Sequence, residues 1–139
     1  MSEAAIIDAV AARSPRSVLD VGCGEGWLAR APAVMGTHVL GIDAIPSLIE
    51  CARRSGGGDC RVMSFEDVAA GGLKCRVDAA VCNFSLLGNT SVRKLLAALP
   101  PLLNPGMNAS GLAVSEILEP LHPDSQRPAS IIFIAAQRN

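Results

Sequence analysis

The spacing of apolar and polar positions predicts helices and strands that alternate along most of the chain. In the helical segments apolar residues recur every three to four positions, whereas the strands are short, nearly uninterrupted apolar runs. The predicted helices cover Glu3–Ala12, Trp27–Val34, the segment from Pro46 to the glycines at 56–58, Asp67–Leu73 and Ser91–Leu99. The predicted strands are Ser17–Val21, His38–Ile42, Cys60–Ser64, Val77–Phe84, Leu112–Leu118 and Ser130–Ala136.

This alternation indicates an α/β fold with a mostly parallel sheet and helices on both faces. The last two strands are separated by about a dozen turn-like residues without a helical pattern. Because a parallel crossover needs a longer connection, these strands are expected to form an antiparallel terminal hairpin. With 139 residues and no repeat or linker, residues 1–139 are predicted to form a single domain.

Composition and charge exclude several classes of protein. Half of the residues are apolar, and 18% are charged, which is typical of a folded chain. The formal net charge is −1, and the basic residues are scattered, so no nucleic-acid or membrane partner is predicted. Prolines and asparagines interrupt the uncharged stretch Leu95–Ser115, and Glu3 and Asp8 are atypical of a secretory signal, so a cytoplasmic location is predicted.

Cysteine and histidine usage points to no metal site. The five cysteines form no Cys-x-x-Cys pair, and the two histidines are His38 and His122. Reduced, mostly buried thiols are the expected state. His38 lies in a predicted strand and His122 in a proline-flanked turn, so neither is a candidate catalytic base.

The stretch from Gly22 to Gly26 is a glycine-rich turn between a strand and a helix. Such a turn lets backbone N–H groups approach a ligand, although a purely structural turn is the alternative. Asp43 follows 21 residues after Gly22, at the end of the second strand, where a carboxylate can accept hydrogen bonds from ribose hydroxyls. It could also cap the helix that begins near Pro46. Trp27 stands where the dinucleotide fingerprint requires its third glycine, which argues against a dinucleotide.

Four blocks in order carry a family resemblance. They are VLDVGCGEGWLA (Val18–Ala29), VLGIDAIPSLIECAR (Val39–Arg53), VDAAVCNFSLLG (Val77–Gly88) and LLNPGM (Leu102–Met107). Together they resemble the motifs of class I S-adenosylmethionine-dependent methyltransferases, from Ser17 to about Met107. The resemblance implies a Rossmann-like fold, S-adenosylmethionine as the cofactor, and methyl transfer to a small-molecule acceptor.

The same resemblance implies roles for residues near the methionine part of the cofactor. Asp20 would lie beneath it, and Asn83 beside it. Phe84 would face the substrate, or equally belong to the core. The residues that would line the methionine end are Gly22, Cys23 and Gly24.

For the nucleoside part, the resemblance implies that Asp43 binds both ribose hydroxyls, with Ala44 and Ile45 flanking the adenine. Ser64 stands where the family often has an acidic residue, and Phe65 would add a backbone N–H and a ring edge. Asp67 is the competing adenine contact if the third strand ends later.

The chain departs from the family after Met107. Complete members continue with a fifth parallel strand, a substrate-covering insertion and a helix before the terminal hairpin, whereas Ala109–Leu121 follows here almost at once. An internal deletion is favoured over the rival alignment, in which Leu112–Leu118 is the fifth strand. The alternative function is therefore a non-catalytic or truncated binding module, and a dinucleotide oxidoreductase fragment ranks third. An apolar surface left by the missing segment would favour a homodimer. The sequence identifies no catalytic residue.

Overall fold

The computed structural model describes residues 3–12, 14–56, 58–84, 94–95, 97–104, 112–118 and 131–137. Its helices are α1 (Glu3–Ala11), α2 (Trp27–Arg30), α3 (Pro46–Arg54) and α4 (Phe65–Ala69), with short 3-10 turns at Pro32–Val34 and Pro100–Leu102. Its strands are β1 (Ser17–Val21), β2 (His38–Asp43), β3 (Asp59–Val62), β4 (Ala79–Phe84), β5 (Leu112–Leu118) and β6 (Ile131–Gln137).

The six strands form one sheet in the order β3-β2-β1-β4-β6-β5. The first four strands run parallel, and β6 pairs antiparallel with both β4 and β5. The predicted α/β class with a mostly parallel sheet is confirmed. The connection between β5 and β6 lies outside the described residues, so the terminal hairpin stays a prediction.

Helices cover both faces of the parallel part of the sheet. Because neighbouring side chains of a strand point to opposite faces, β1 contributes Val18 to one core and Leu19 and Val21 to the other. On the Val18 side the core includes α1 and α2, through residues such as Val10 and Leu28. On the other side it includes Val68 of α4 and, from the segment after β4, Leu95 and Leu99. Burial on both faces explains the nearly continuous apolar runs of β1, β2 and β4.

Several element ends differ from the sequence prediction. The predicted helix Trp27–Val34 is interrupted at Ala31, because Pro32 supplies no N–H to continue α2. The predicted strand Cys60–Ser64 spans Asp59–Val62 instead, because Ser64 is the N-cap of α4. The predicted helix Asp67–Leu73 therefore starts earlier and ends at Ala69.

The segments around β4 are partly described. Val77 makes an isolated parallel bridge to Leu103 ahead of β4, which itself begins at Ala79. Residues 94, 95, 97 and 98 are helical, and the rest of the predicted helix before them lies outside the described residues. Within the described part of the chain, no helix has the length and apolarity needed to cross a membrane.

Candidate cofactor site

The glycine turn after β1 has a backbone that requires glycine. Gly22, Gly24 and Gly26 have φ angles of 80°, 57° and 80°, in the left-handed region that residues with a Cβ rarely adopt. A Cβ placed on Gly24 would meet nothing within 4 Å. Open space therefore lies beside the backbone at Gly24, where a ligand can approach.

Hydrogen bonds anchor this turn to β2. The N–H groups of Gly22 and Cys23 both donate to the carbonyl oxygen of Ile42, at 2.8 and 3.0 Å, and the Gly26 N–H donates to the Cys23 carbonyl at 3.0 Å. These three N–H groups are used within the protein. The expectation that the N–H groups of the turn face a ligand is wrong for these three. Buried N–H groups need acceptors, and these find theirs in carbonyl oxygens of β2 and of the turn itself.

Asp43, the last residue of β2, joins the glycine turn to the loop before α3. Its Oδ2 accepts a hydrogen bond from the Gly24 N–H, and its Oδ1 accepts one from the Ile45 N–H, both at 3.0 Å. The N-cap of α3 is Ile45 without a side-chain cap, so Asp43 does not cap that helix in the usual way. Each carboxylate oxygen retains a lone pair for a further donor, and Asp43 is only partly buried.

Asp20 lies on β1 between Gly41 of β2 and Val81 of β4, and is 3% exposed. Burial, and secondly the charge of Asp43, raise the pKa of the Asp20 carboxyl to about 7. Burial is also the main cause that raises the pKa of the Cys23 and Cys82 thiols to about 12, with Asp20 contributing. Both thiols are therefore protonated at neutral pH, which excludes them as nucleophiles.

Gly41 allows Cys23 to pack on β2. A Cβ on Gly41 would lie 2.8 Å from the Cys23 Sγ and 2.9 Å from the Cys23 Cβ, closer than such atoms approach. Sequence reasoning missed this role. A glycine inside an otherwise apolar buried strand is the signal that could have found it.

At the end of β3 the structure corrects one candidate. The Ser64 hydroxyl accepts a hydrogen bond from the Asp67 N–H at 3.1 Å, and the Asp67 carboxylate accepts one from the Ser64 N–H at 3.4 Å. This reciprocal pair is a capping box for α4. Asp67 was a candidate adenine contact only if the strand ended later, but β3 ends at Val62, so that alternative is wrong.

Apolar side chains are exposed at this edge of the sheet. Ile45 is 51% exposed, and Val62, the Cα partner of Asp43 across β2 and β3, is 48% exposed. Ala44 is exposed as well, and Phe65 is half-buried against the core. Val62 was missed from the sequence, because its exposure depends on β3 being an edge strand.

The remaining predicted residues lie at the end of β4. Asn83 and Phe84 are its last two residues, and their backbones pair with Ile132 and Ile131 of β6. Their side chains lie outside the described part of the structure. The structure thus brings the ends of β1, β2, β3 and β4 to the carboxyl edge of the sheet, where ligands of open α/β sheets bind. His/Cys/Asp/Glu groupings able to hold a metal ion do not occur among the described residues.

A separate groove of about 500 Å³ lies between α4 and the helical residues that follow β4. It is lined by Phe65, Glu66, Ala69, Ala70, Lys94 and Ala97. The residues of α4 and the 94–98 segment pack on the Leu19 side of the sheet, whereas Cys23 belongs to a different apolar cluster with Ile49 of α3. The groove is therefore separate from the candidate cofactor site at the glycine turn.

Comparisons with known proteins agree with this architecture. Residues 18–106 match the family described as "Methyltransferase domain". Over 108 residues the chain is 39% identical to a ubiquinone biosynthesis O-methyltransferase of Xanthomonas campestris pv. campestris strain B100. This alignment covers 72% of this chain and 45% of the relative. The chain spans less than half the length of the curated relatives it matches.

Two solved structures share the fold. TehB from Haemophilus influenzae superposes with a TM-score of 0.69 at 14% identity, over 99% of this chain and 63% of TehB. The magnesium protoporphyrin IX methyltransferase ChlM from Synechocystis PCC 6803, solved with bound S-adenosylmethionine, gives a TM-score of 0.53 at 15% identity, over 96% and 79%. The Rossmann-like fold expected from the sequence is confirmed. Because the family match covers more than half of the chain, the protein belongs to the class I S-adenosylmethionine-dependent methyltransferases.

Proposed function

We propose that this chain binds S-adenosylmethionine at the carboxyl edge of β1, β2 and β3 and serves methyl transfer to a small molecule. The observation that carries the proposal is the Asp43 carboxylate, which is held by the Gly24 and Ile45 N–H groups and keeps acceptor capacity on both oxygens. Two fixed N–H donors orient the carboxylate before a ligand arrives. Binding to a pair of ribose hydroxyls then costs little reorganisation.

The donors and surfaces at this edge suit the parts of the proposed cofactor. Asp43 would accept from the ribose hydroxyls, and the open space beside Gly24 would admit the methionine part. Ile45 and Val62 offer exposed apolar surface to a purine ring, beside Ser64 and Phe65. When bound, the cofactor supplies a methyl group on a positively charged sulfur, so the protein has chiefly to orient an acceptor and exclude water.

The names of the curated relatives support an oxygen acceptor. They are O-methyltransferases, so we take a hydroxyl group of a small molecule as the acceptor class. The match to the family ends at residue 106, and β6 pairs directly with β4. This arrangement agrees with an internal deletion and leaves a second candidate function, a cofactor-binding module without turnover. The homodimer expected from the sequence stays a prediction.

Calorimetric titration tests the cofactor half of the proposal. We expect micromolar binding of S-adenosylmethionine and S-adenosylhomocysteine, and none of NAD. Asp43→Ala should weaken both affinities at least about tenfold, the equivalent of roughly 1.4 kcal/mol. Asp59→Ala is the matched control, because Asp59 is an exposed aspartate that pairs with Arg61. Absence of binding by both sulfur compounds to the wild-type chain would reject the proposal.

Turnover separates the two candidate functions. Transfer of a labelled methyl group to a phenolic or other hydroxyl acceptor, abolished by Asp43→Ala, would establish the enzyme. Tight cofactor binding without transfer across an acceptor screen would favour the binding module instead.

A further inference from the structure

Asp20 is a buried carboxylate that has no hydrogen-bond partner among the described residues. Its side chain belongs to a residue that is 3% exposed, and no described residue donates a hydrogen bond or an ion pair to it. No described side-chain oxygen is both sealed from solvent and unpartnered. The Asp20 carboxylate oxygens therefore keep a small contact with solvent, and a donor or cation can still reach them.

The turn does not need Asp20 to hold its shape. The N–H groups of Gly22 and Cys23 donate to Ile42, and the Gly24 N–H donates to Asp43. A carboxylate that was buried only to stabilise the turn would be expected to accept one of these bonds. Asp20 accepts none of them.

The groups that face Asp20 carry no positive charge. From β2 the Asp43 carboxylate acts on it, and the Cys23 thiol of the turn is neutral. On β4 its strand partner is Val81, and the neutral Cys82 thiol next to it lies on the other face of the sheet. On the helices packed nearby, the charged residues Asp8, Arg30, Glu50 and Arg53 are exposed, and Arg53 donates to the Cys60 carbonyl. Arg30 donates to the Glu25 carbonyl, and Glu50 pairs with Arg54. Among the described residues, Asp20 thus lies near a second carboxylate, Asp43, and no cation pairs with it.

We propose that Asp20 selects ligands by charge, so that its ionised form favours the sulfonium of S-adenosylmethionine over the neutral sulfur of S-adenosylhomocysteine. This inference rests on the proposed function. The two compounds differ by one methyl group and one positive charge, so a nearby anion is the simplest device for telling them apart. When Asp20 takes up a proton the device is removed, and product can leave with proton uptake at Asp20.

Burial places the pKa of Asp20 at about 7, so this selectivity changes across the neutral range. By linkage, the ligand that stabilises the ionised form more must bind relatively better as pH rises. The ratio of the dissociation constants, S-adenosylhomocysteine over S-adenosylmethionine, is therefore expected to increase from pH 6 to pH 8. The expected increase in the wild-type chain is at least about fivefold.

The experiment is calorimetric titration of both compounds at pH 6, 7 and 8 with the wild-type chain, Asp20→Asn and the control Asp59→Asn. The wild type and Asp59→Asn should show the rising ratio. Asp20→Asn should hold it within about twofold, because its side chain is neutral at every pH. The amino groups of the two ligands titrate in the same way with the wild-type chain and with Asp20→Asn, so comparing the two chains removes that contribution from the ratio. An Asp20→Asn ratio that rises as steeply as the wild-type ratio would overturn the inference.

A second readout covers the case in which Asp20→Asn does not fold. Carboxyl carbon NMR of the wild-type chain should show one aspartate titrating near neutral pH, whose pKa falls more with S-adenosylmethionine than with S-adenosylhomocysteine. Equal shifts would overturn the inference while leaving the proposed function intact. Failure of both compounds to bind at every pH would reject the proposed function, and the inference with it.

Discussion

Gly41 allows the glycine turn to pack closely on β2, because it has no Cβ. The Cys23 side chain occupies the space where any other residue would carry its Cβ. Since Cys23 also donates its N–H to Ile42, the side chain cannot move away without disturbing the anchor of the turn. The absence of a Cβ at Gly41 therefore determines the position of the segment that carries Gly24.

We predict that Gly41→Ala displaces the turn. Overpacking of a buried contact typically lowers the free energy of unfolding by about 1–3 kcal/mol, measurable by urea denaturation. Affinity for S-adenosylmethionine should fall as well, because the Gly24 N–H that orients Asp43 shifts with the turn. The double variant Gly41→Ala, Cys23→Gly removes the clashing atoms and should recover part of both losses. Additive losses in the double variant would contradict this explanation.

At this scale, the sequence predicts what depends on local spacing. The glycine turn and the position of Asp43 at the end of β2 follow from one strand-turn-helix unit and from the distance to the next strand. Gly41 and the exposed Val62 were not predicted, because their environments arise from residues brought together across strands. The cap at Ser64 was missed for a different reason, since Ser64 had been assigned to the end of the strand and Asp67 to the start of the helix.

The short helix α4 depends on its first turn. It has five residues, and its capping box satisfies N–H groups that would otherwise lack partners. A helix of this length gains little from propagation, so its ends determine its stability. The cap also fixes where β3 gives way to α4, and hence where Phe65 lies.

We predict that Ser64→Ala lowers the free energy of unfolding by about 1 kcal/mol, because the Asp67 N–H loses its acceptor. Ser64→Thr retains the hydroxyl and should stay near the wild-type value. Urea denaturation of the two variants provides the comparison. Equal stability of Ser64→Ala and Ser64→Thr would show that the cap contributes nothing measurable.

Predictions at the element scale were good for strands and poorer for helix ends. Apolar runs located β1, β2 and β4, because strands that are buried on both faces consist almost entirely of apolar residues. The predicted end of α2 and the predicted start of α4 were wrong. Pro32, which lacks an N–H, sets the first, and the hydrogen bonds of the Ser64 cap set the second, and neither depends on periodicity.

At the scale of the whole molecule, the register of the sheet depends on its amino-terminal edge. There Asp78 joins three segments: its Oδ2 accepts from the Arg16 N–H at 2.8 Å, and its Oδ1 accepts from the Asn104 side chain at 2.9 Å. The Asp78 N–H in turn donates to the Ser17 hydroxyl at 3.1 Å. The hydrogen bonds from Asn104 and from Arg16 hold the pKa of the Asp78 carboxyl below its usual value.

Asp78 and Asp20, at opposite edges of the same sheet, should give stability a pH dependence of opposite sign. A lowered pKa means that the folded chain releases the Asp78 proton more readily than the unfolded chain, so Asp78 stabilises above about pH 4 and this contribution is lost on further acidification. The raised pKa of Asp20, about 7, means that the folded chain holds its proton more tightly. Stability should therefore fall, by on the order of a few kcal/mol, as pH rises from about 4 to about 7.

Urea denaturation between pH 3 and pH 8 separates the two groups, because each has an isosteric amide variant. Asp20→Asn should flatten the decline between about pH 4 and pH 7, so its gain over the wild type grows with pH and levels off above pH 7. Asp78→Asn should be destabilised at pH 6, and its deficit should shrink as pH falls below about 4. A wild-type stability that is constant from pH 4 to pH 7 would contradict the assignment of a raised pKa to Asp20. The ionised Asp20 carboxylate lowers stability at neutral pH, and it is also the group proposed to attract the sulfonium. S-adenosylmethionine should therefore raise the unfolding midpoint more at pH 8 than at pH 6.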